Sequence, residues 1–254
     1  LASLYVDFAQ FSKAAEVARE GLRFDPKSRV LLNTLGNSLS CLGFVEEGLA
    51  HYRTLLDIAP DLPVVHSNML LTMHYPSGLT PEEIFAEHQR FARMHAPAAF
   101  ANTVFANEPV PGRRLRVGYL SPDIRVHSVA FFLEALLDHH DHAGFELYCY
   151  AAVKTPDAVT QRLRAKFDVF RSVVDLPPKH VARLIHEDGI DILVDLAGHA
   201  GNEWLQVLAY KPAPLQVTWL GYPDTTGLPT VDYRLTDWEA DPAGADQFYV
   251  ERLV

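Results

Sequence analysis

The 254-residue sequence is poor in cysteine, with two, and short of basic residues, with 22 Lys plus Arg against 32 Asp plus Glu. A net charge of −10 leaves no general excess of positive charge for a phosphate backbone or an anionic bilayer, so neither nucleic acid nor membrane is an expected partner. Cys41 and Cys149 lie in the apolar stretches SLSCLGF and ELYCYAA, which predicts two buried, reduced thiols and a cytoplasmic protein. No apolar run reaches the ~18 residues of a membrane span, and no charged-then-apolar leader opens the chain. No strand pattern is followed by Gly-x-Gly-x-x-Gly, so the usual dinucleotide-binding domain lacks support. A Gly-x-Ser-x-Gly elbow, a Walker loop and a Cys-x-x-Cys pair are missing too. The sequence opens in a helical pattern and stops at a strand-like Glu251-Arg252-Leu253-Val254, and it reads as part of a longer protein.

What is present begins with an internal repeat. Asp25-Pro26 and Ala59-Pro60 each close an amphipathic segment 34 positions apart, and the same offset pairs Phe11 with Val45, Ala15 with Leu49, Ala18 with Tyr52 and Leu22 with Leu56. Small residues at Gly36 and Gly43 complete a tetratricopeptide-type signature over residues 1–78, with Val64 to Met73 starting a third copy. Such repeats stack into a concave face suited to extended polypeptide, so protein or peptide substrates along that face are the expected partners. Thr80-Pro81-Glu82-Glu83 supplies an N-cap, a proline at the first helical position and acidic residues in the first turn. A helix is predicted there, and residues 79–112 then form helix plus linker.

From 113 to 254 apolar strands alternate with amphipathic helices. Strands are expected at 115–121, 145–152, 169–174, 190–196, 214–220 and 232–236, with helices near 128–140, 156–167, 178–188 and 202–210. This pattern predicts an α/β domain with a doubly wound, parallel, Rossmann-like sheet behind the all-α repeats. Ligands of such sheets bind at loops beyond the carboxyl ends of strands. Three loops there combine Gly or Pro with polar side chains: Ser121 to His127, Ala197 to Asn202, and Leu220 to Gly227.

In the first loop Asp123 precedes His127 by four residues, an arrangement able to serve general-base chemistry or simply to cap the next helix. Asp123 could equally be a turn residue. His199, flanked by Gly198 and Ala200, is suited either to a phosphate or sugar hydroxyl or to closing a turn. His139-His140-Asp141-His142 invites a metal reading, but its place at a helix end favours a solvated turn. No metal site is expected.

The segments RLRVGYLSPDIRVHSV, DGIDILVDLAGHAGNEWL and YKPAPLQVTWLGYPDTTGLPTVDYRLTD, behind helical repeats, resemble the protein O-linked N-acetylglucosamine transferase family in a bacterial version. The resemblance implies an inverting, metal-independent glycosyltransferase that moves N-acetylglucosamine from UDP-GlcNAc, its donor substrate, to Ser or Thr hydroxyls of proteins. It implies a GT-B fold of two facing Rossmann-like domains, of which this chain holds the first, with a C-terminal catalytic domain as its missing partner. Carried over by position, His127 and Asp123 take the catalytic loop places. His66, three residues before Met69, matches a second family histidine placed ahead of a donor-contacting methionine. Val129, His199, Leu220, Gly221, Tyr222 and Pro223 fall at donor-side positions. Ile124, Ala200 and Asp224 depart from the family's usual Phe, Thr and Gly. The rivals are a sibling transferring another sugar such as fucose or modifying Asn, and a non-catalytic repeat scaffold.

Overall fold

In the computed structural model, residues 1–76, 78–96 and 104–254 are described, and they form two compact units, Leu1–His95 and Ala96–Val254. Residues 97–103 of the expected linker lie outside the described residues.

The first unit is all helical: α1 (Ala2–Asp7), α2 (Phe11–Phe24), α3 (Arg29–Cys41), α4 (Val45–Ile58), α5 (Pro63–Thr72) and α6 (Pro81–His95). The sequence repeat is visible in the element starts, because α2 and α4 begin at Phe11 and Val45 while α3 and α5 begin at Arg29 and Pro63. Both intervals are 34 positions. Ala15, Ala18, Leu35 and Leu39 form one fully buried seam. Glycines set the spacing of α3 against α4: a Cβ on Gly36 would lie 2.8 Å from the Tyr52 ring, and one on Gly48 would lie 2.9 Å from the Gly36 carbonyl oxygen. Thr80 and Glu83 form the expected capping box at α6, Glu83 N–H donating to Thr80 Oγ1 at 3.3 Å and Thr80 N–H to Glu83 Oε2 at 2.8 Å. No helix among the described residues is long and apolar enough to cross a membrane.

The second unit is a sheet of seven strands among the described residues, all parallel, in the order β3-β2-β1-β4-β5-β6-β7. They are β1 (Leu115–Ser121), β2 (Phe145–Ala151), β3 (Val169–Ser172), β4 (Ile192–Asp195), β5 (Leu215–Trp219), β6 (Tyr233–Leu235) and β7 (Arg252–Leu253). Helices α7 (Ser128–Leu137), α8 (Ala158–Arg164), α9 (Pro178–Glu187) and α10 (Leu205–Ala209) fill the crossovers. The strand order reverses between β1 and β4, the switch point at which a doubly wound sheet opens a crevice. A core of Val117, Tyr119, Leu133, Leu147, Cys149 and Leu196 surrounds that point. The amino end of the sheet is tied by Asp191, whose carboxylate accepts from Arg113 twice, from Asn107 and from the Arg116 amide.

Two expectations change. Cys149 is buried, but Cys41 is exposed at the last turn of α3, where its thiol meets Asn37 Oδ1 at 3.4 Å. Its apolar sequence neighbours, Leu39 aside, do not predict its own face, because a helix turns about 100° per residue. The expected helix at 202–210 begins earlier, as a 3-10 turn over Gly198–Trp204 that runs into α10.

Candidate functional site

The first site loop is set by its buried residues. β1 ends at Ser121, whose hydroxyl accepts from the Asp123 amide at 2.9 Å, and Ile124 is fully buried between them and α7. That anchor lets Asp123 and His127 project from a fixed turn. His127 sits in extended backbone as the N-cap of α7, its Nδ1 accepting from the Val129 amide at 3.3 Å. The same imidazole presents Nε2 3.8 Å from Asp123 Oδ1. Since Nδ1 is an acceptor, the neutral ring carries its proton on Nε2, facing the carboxylate. Capping and site geometry therefore coexist in one side chain. Arg125 Nη2 lies 3.3 Å from the same Asp123 oxygen.

The second loop follows β4. Asp195 is fully buried and accepts from the amides of Ala197 and Gly198 at 3.2 and 2.8 Å and from Thr218 Oγ1 at 3.0 Å. Burial pushes its carboxyl up to about 6, with the Glu251 charge adding to the rise. His199 is 1% exposed; its Nε2–H donates to the Thr226 carbonyl at 2.9 Å and its ring meets the edge of Tyr222 at 5.0 Å. In this chain His199 links the second and third loops.

The third loop leaves β5 through Leu220, a non-glycine residue at φ 77°. Gly221 follows, where a Cβ would sit 1.9 Å from the Leu196 carbonyl oxygen. Tyr222 is buried, Pro223 is exposed, and half-buried Asp224 accepts from its neighbour Thr225's amide at 2.6 Å. Thr225 and Thr226 both bond the buried Glu251 carboxylate. Arg234, paired with Asp241 at 2.9 Å, donates to the carbonyls of Tyr222 and Asp224.

These loops enclose a cleft of about 800 Å³ whose lining includes Asp123, His127, Gly221, Lys154, Glu203 and Trp204. Asp123, His127 and Gly221 are thus brought together, while Val129, His199 and Tyr222 are buried rather than open. Lys154 and Glu203 were not singled out in the sequence. Lys154 could have been, since it lies in the loop after β2, another carboxyl-end loop of the same sheet. His66 and Met69 belong to the helical unit, on α5, and both are buried. His139, His140 and His142 turn to separate partners, the Ala135 carbonyl, the Tyr119 hydroxyl and Asp168, as expected of a helix-end turn.

The raised carboxyl of Asp195 fixes a pH dependence. Between its ordinary value of 3.8 and about 6 the folded state holds more protons than the unfolded one, so this group's stabilisation is fully present below 3.8 and is lost as pH rises through 6. Denaturant titrations of wild type and Asp195→Asn are expected to show the variant gaining relative to wild type from pH 4 to pH 7. A gap that stays constant or moves the other way would refute the assignment.

Three comparisons bear on this geometry. The family described as glycosyl transferase family 41 matches residues 60–254. Among named proteins, the probable UDP-N-acetylglucosamine–peptide N-acetylglucosaminyltransferase SPINDLY of Solanum lycopersicum is 42% identical over 203 residues, and that of Arabidopsis thaliana is 43% identical over 205. Each alignment covers 78% of this chain and 22% of the relative. The solved structure of an O-GlcNAc transferase mutant from Thermobaculum terrenum superposes with a TM-score of 0.95 at 37% identity, over 100% of this chain and 49% of that one.

Proposed function

Because the chain belongs to glycosyl transferase family 41, we propose that it is the acceptor-side half of an inverting protein glycosyltransferase, moving N-acetylglucosamine from UDP-GlcNAc to Ser or Thr hydroxyls. The relatives carry names for this activity at several times the matched length. The single observation that supports the reading most is the cleft at the sheet's switch point, where Asp123, His127 and the Gly221 loop meet.

In this reading the acceptor hydroxyl attacks the anomeric carbon in line while the nucleotide diphosphate departs from the opposite face. His127 and Asp123 act as one unit: the carboxylate takes or relays the hydroxyl proton, and the imidazole orients it or accepts the proton when its cap bond exchanges. The amino end of α7, at Ser128, offers positive potential for developing negative charge. The donor is a substrate, and no metal or cofactor is assigned. The remaining catalytic domain of the family is the partner that completes the donor site. The helical unit, with its 34-position period, is read as tetratricopeptide-type repeats. A groove of about 380 Å³ in that unit, lined by Asn33, Thr34, Asn37, Arg29 and Asp7 among others, is the place for extended acceptor polypeptide. A cytoplasmic setting fits the exposed free thiol of Cys41.

Calorimetric titration of UDP-GlcNAc and of GDP-fucose tests the proposal, first on this chain and then on a chain extended to the length of its relatives. Binding of the UDP sugar only by the extended chain is the expected result. Preference for GDP-fucose would identify the sibling enzyme, and binding of neither nucleotide by the extended chain would leave only a scaffold.

A further inference from the structure

Glu251, the residue before β7, is 4% exposed, and it makes no ion pair among the described residues. A carboxylate buried without a cation is costly unless hydrogen bonds replace its lost water. Here every such bond from another residue comes from the third loop, 25 and 26 positions earlier: Thr225 Oγ1 donates to Oε2 at 2.5 Å, while the Thr226 amide, at 2.8 Å, and the Thr226 hydroxyl donate to Oε1. Both threonines are fully buried. The side chain is committed to one loop.

The loop's remaining polar groups are taken up in turn. Arg234, on β6, donates to the carbonyls of Tyr222 at 2.9 Å and Asp224 at 3.2 Å, and His199 donates to that of Thr226. Thr225 Oγ1 also accepts from the amides of Gly227 at 3.1 Å and Val250 at 3.3 Å, so both its lone pairs are filled and its one hydrogen must point at Glu251. Glutamine could not stand in. With its oxygen toward Thr226, its amide N–H would meet a Thr225 oxygen with no lone pair left; turned round, it would face the Thr226 donors. The loop therefore needs a carboxylate at position 251.

We propose that Glu251 is a positioning residue for the sugar-donor side of the cleft, acting through Thr225 and Thr226 on the loop that carries Gly221. This rests on the glycosyl-transfer reading above. With the acceptor hydroxyl placed at Asp123 and His127, the Gly221 rim of the same cleft is left to the sugar. The first loop has its own supports in Ser121 and Ile124, so loss of the Glu251 bonds disturbs donor binding and spares the proton-handling pair.

Steady-state kinetics on the extended chain test this. Glu251→Gln should raise KM for UDP-GlcNAc about 10-fold, with kcat and the KM of a Ser peptide within about 2-fold of wild type. Thr225→Val should do the same, and Thr225→Ser, which keeps the hydroxyl, should restore the wild-type KM. A Glu251 that served stability alone would lower the melting temperature without moving the KM of molecules that remain folded. Hydrogen exchange should also quicken at Thr226, Gly227 and Leu228 in Glu251→Gln and stay unchanged at Asp123 to His127. An unaltered donor KM in Glu251→Gln, or Thr225→Ser as impaired as Thr225→Val, would overturn the proposal; the threonine pair decides it if Glu251→Gln does not fold. If the wild-type extended chain transfers no sugar, the functional reading falls, and exchange at 226–228 still decides whether Glu251 fixes the loop.

Discussion

Replacing His127 by alanine in the extended chain is expected to lower turnover by about 100- to 10,000-fold and to leave the affinity for UDP-GlcNAc within a few-fold of wild type. The difficulty is that His127 also caps α7 through Nδ1, and loss of a cap destabilises by about 1 kcal/mol. His127→Asn separates the two roles. Asparagine is among the best N-cap residues and can accept from the Val129 amide, but it cannot take up a proton. The asparagine variant should therefore keep the wild-type melting temperature and show the same loss of kcat as alanine. Steady-state kinetics on a Ser peptide, with donor binding by calorimetry, would read both quantities. If His127→Asn retained most of its turnover, capping would be the whole role of His127, and the proton would have to leave by Asp123.

Much of this arrangement was visible in the residues because its signals are local. The 34-position offset survives as helix starts, since α2 and α4, and α3 and α5, begin 34 positions apart, and Gly48 is small because a Cβ there would meet the Gly36 carbonyl oxygen of the facing helix. The alternation of strands and helices gave a parallel sheet, and the rule that ligands gather at carboxyl strand ends led to the loops after β1, β4 and β5. What stayed hidden depends on contacts distant in sequence. Nothing near His199 foretells its bond to Thr226, 27 residues away, nor does anything near His66 reveal Glu87 and His95 as the occupants of its two nitrogens. Glu251 looks like a surface residue at a strand start, yet it is buried as the acceptor for Thr225 and Thr226.

Substituting Gly221 by alanine is expected to be among the most damaging single-methyl additions in the sheet unit. The new Cβ would lie 1.9 Å from the Leu196 carbonyl oxygen, 2.8 Å from its carbon and 2.9 Å from Ala197 Cα. All three are backbone atoms, so no rotamer change relieves the clash, and either the Leu220–Gly221 turn or the end of β4 has to move. The turn resists because Leu220 already occupies a positive φ, where an L-residue is strained by about 1–2 kcal/mol. The end of β4 resists because the Asp195 carboxylate accepts from the amides of Ala197 and Gly198 and from the Thr218 hydroxyl. Overpacking of this kind destabilises by roughly 3 kcal/mol, which for a protein of this size is a fall in melting temperature of about 6–12 °C. Gly78→Ala, where a Cβ meets nothing within 4 Å, is the matched control and should change stability by less than about 0.5 kcal/mol. Hydrogen exchange should show the variant's loss concentrated in residues 195–201 and 219–227, since those segments share the crossing point. A Gly221→Ala protein that melts with wild type would mean that the β4 and β5 ends are free to part, and that the third loop does not depend on this contact for its place in the cleft.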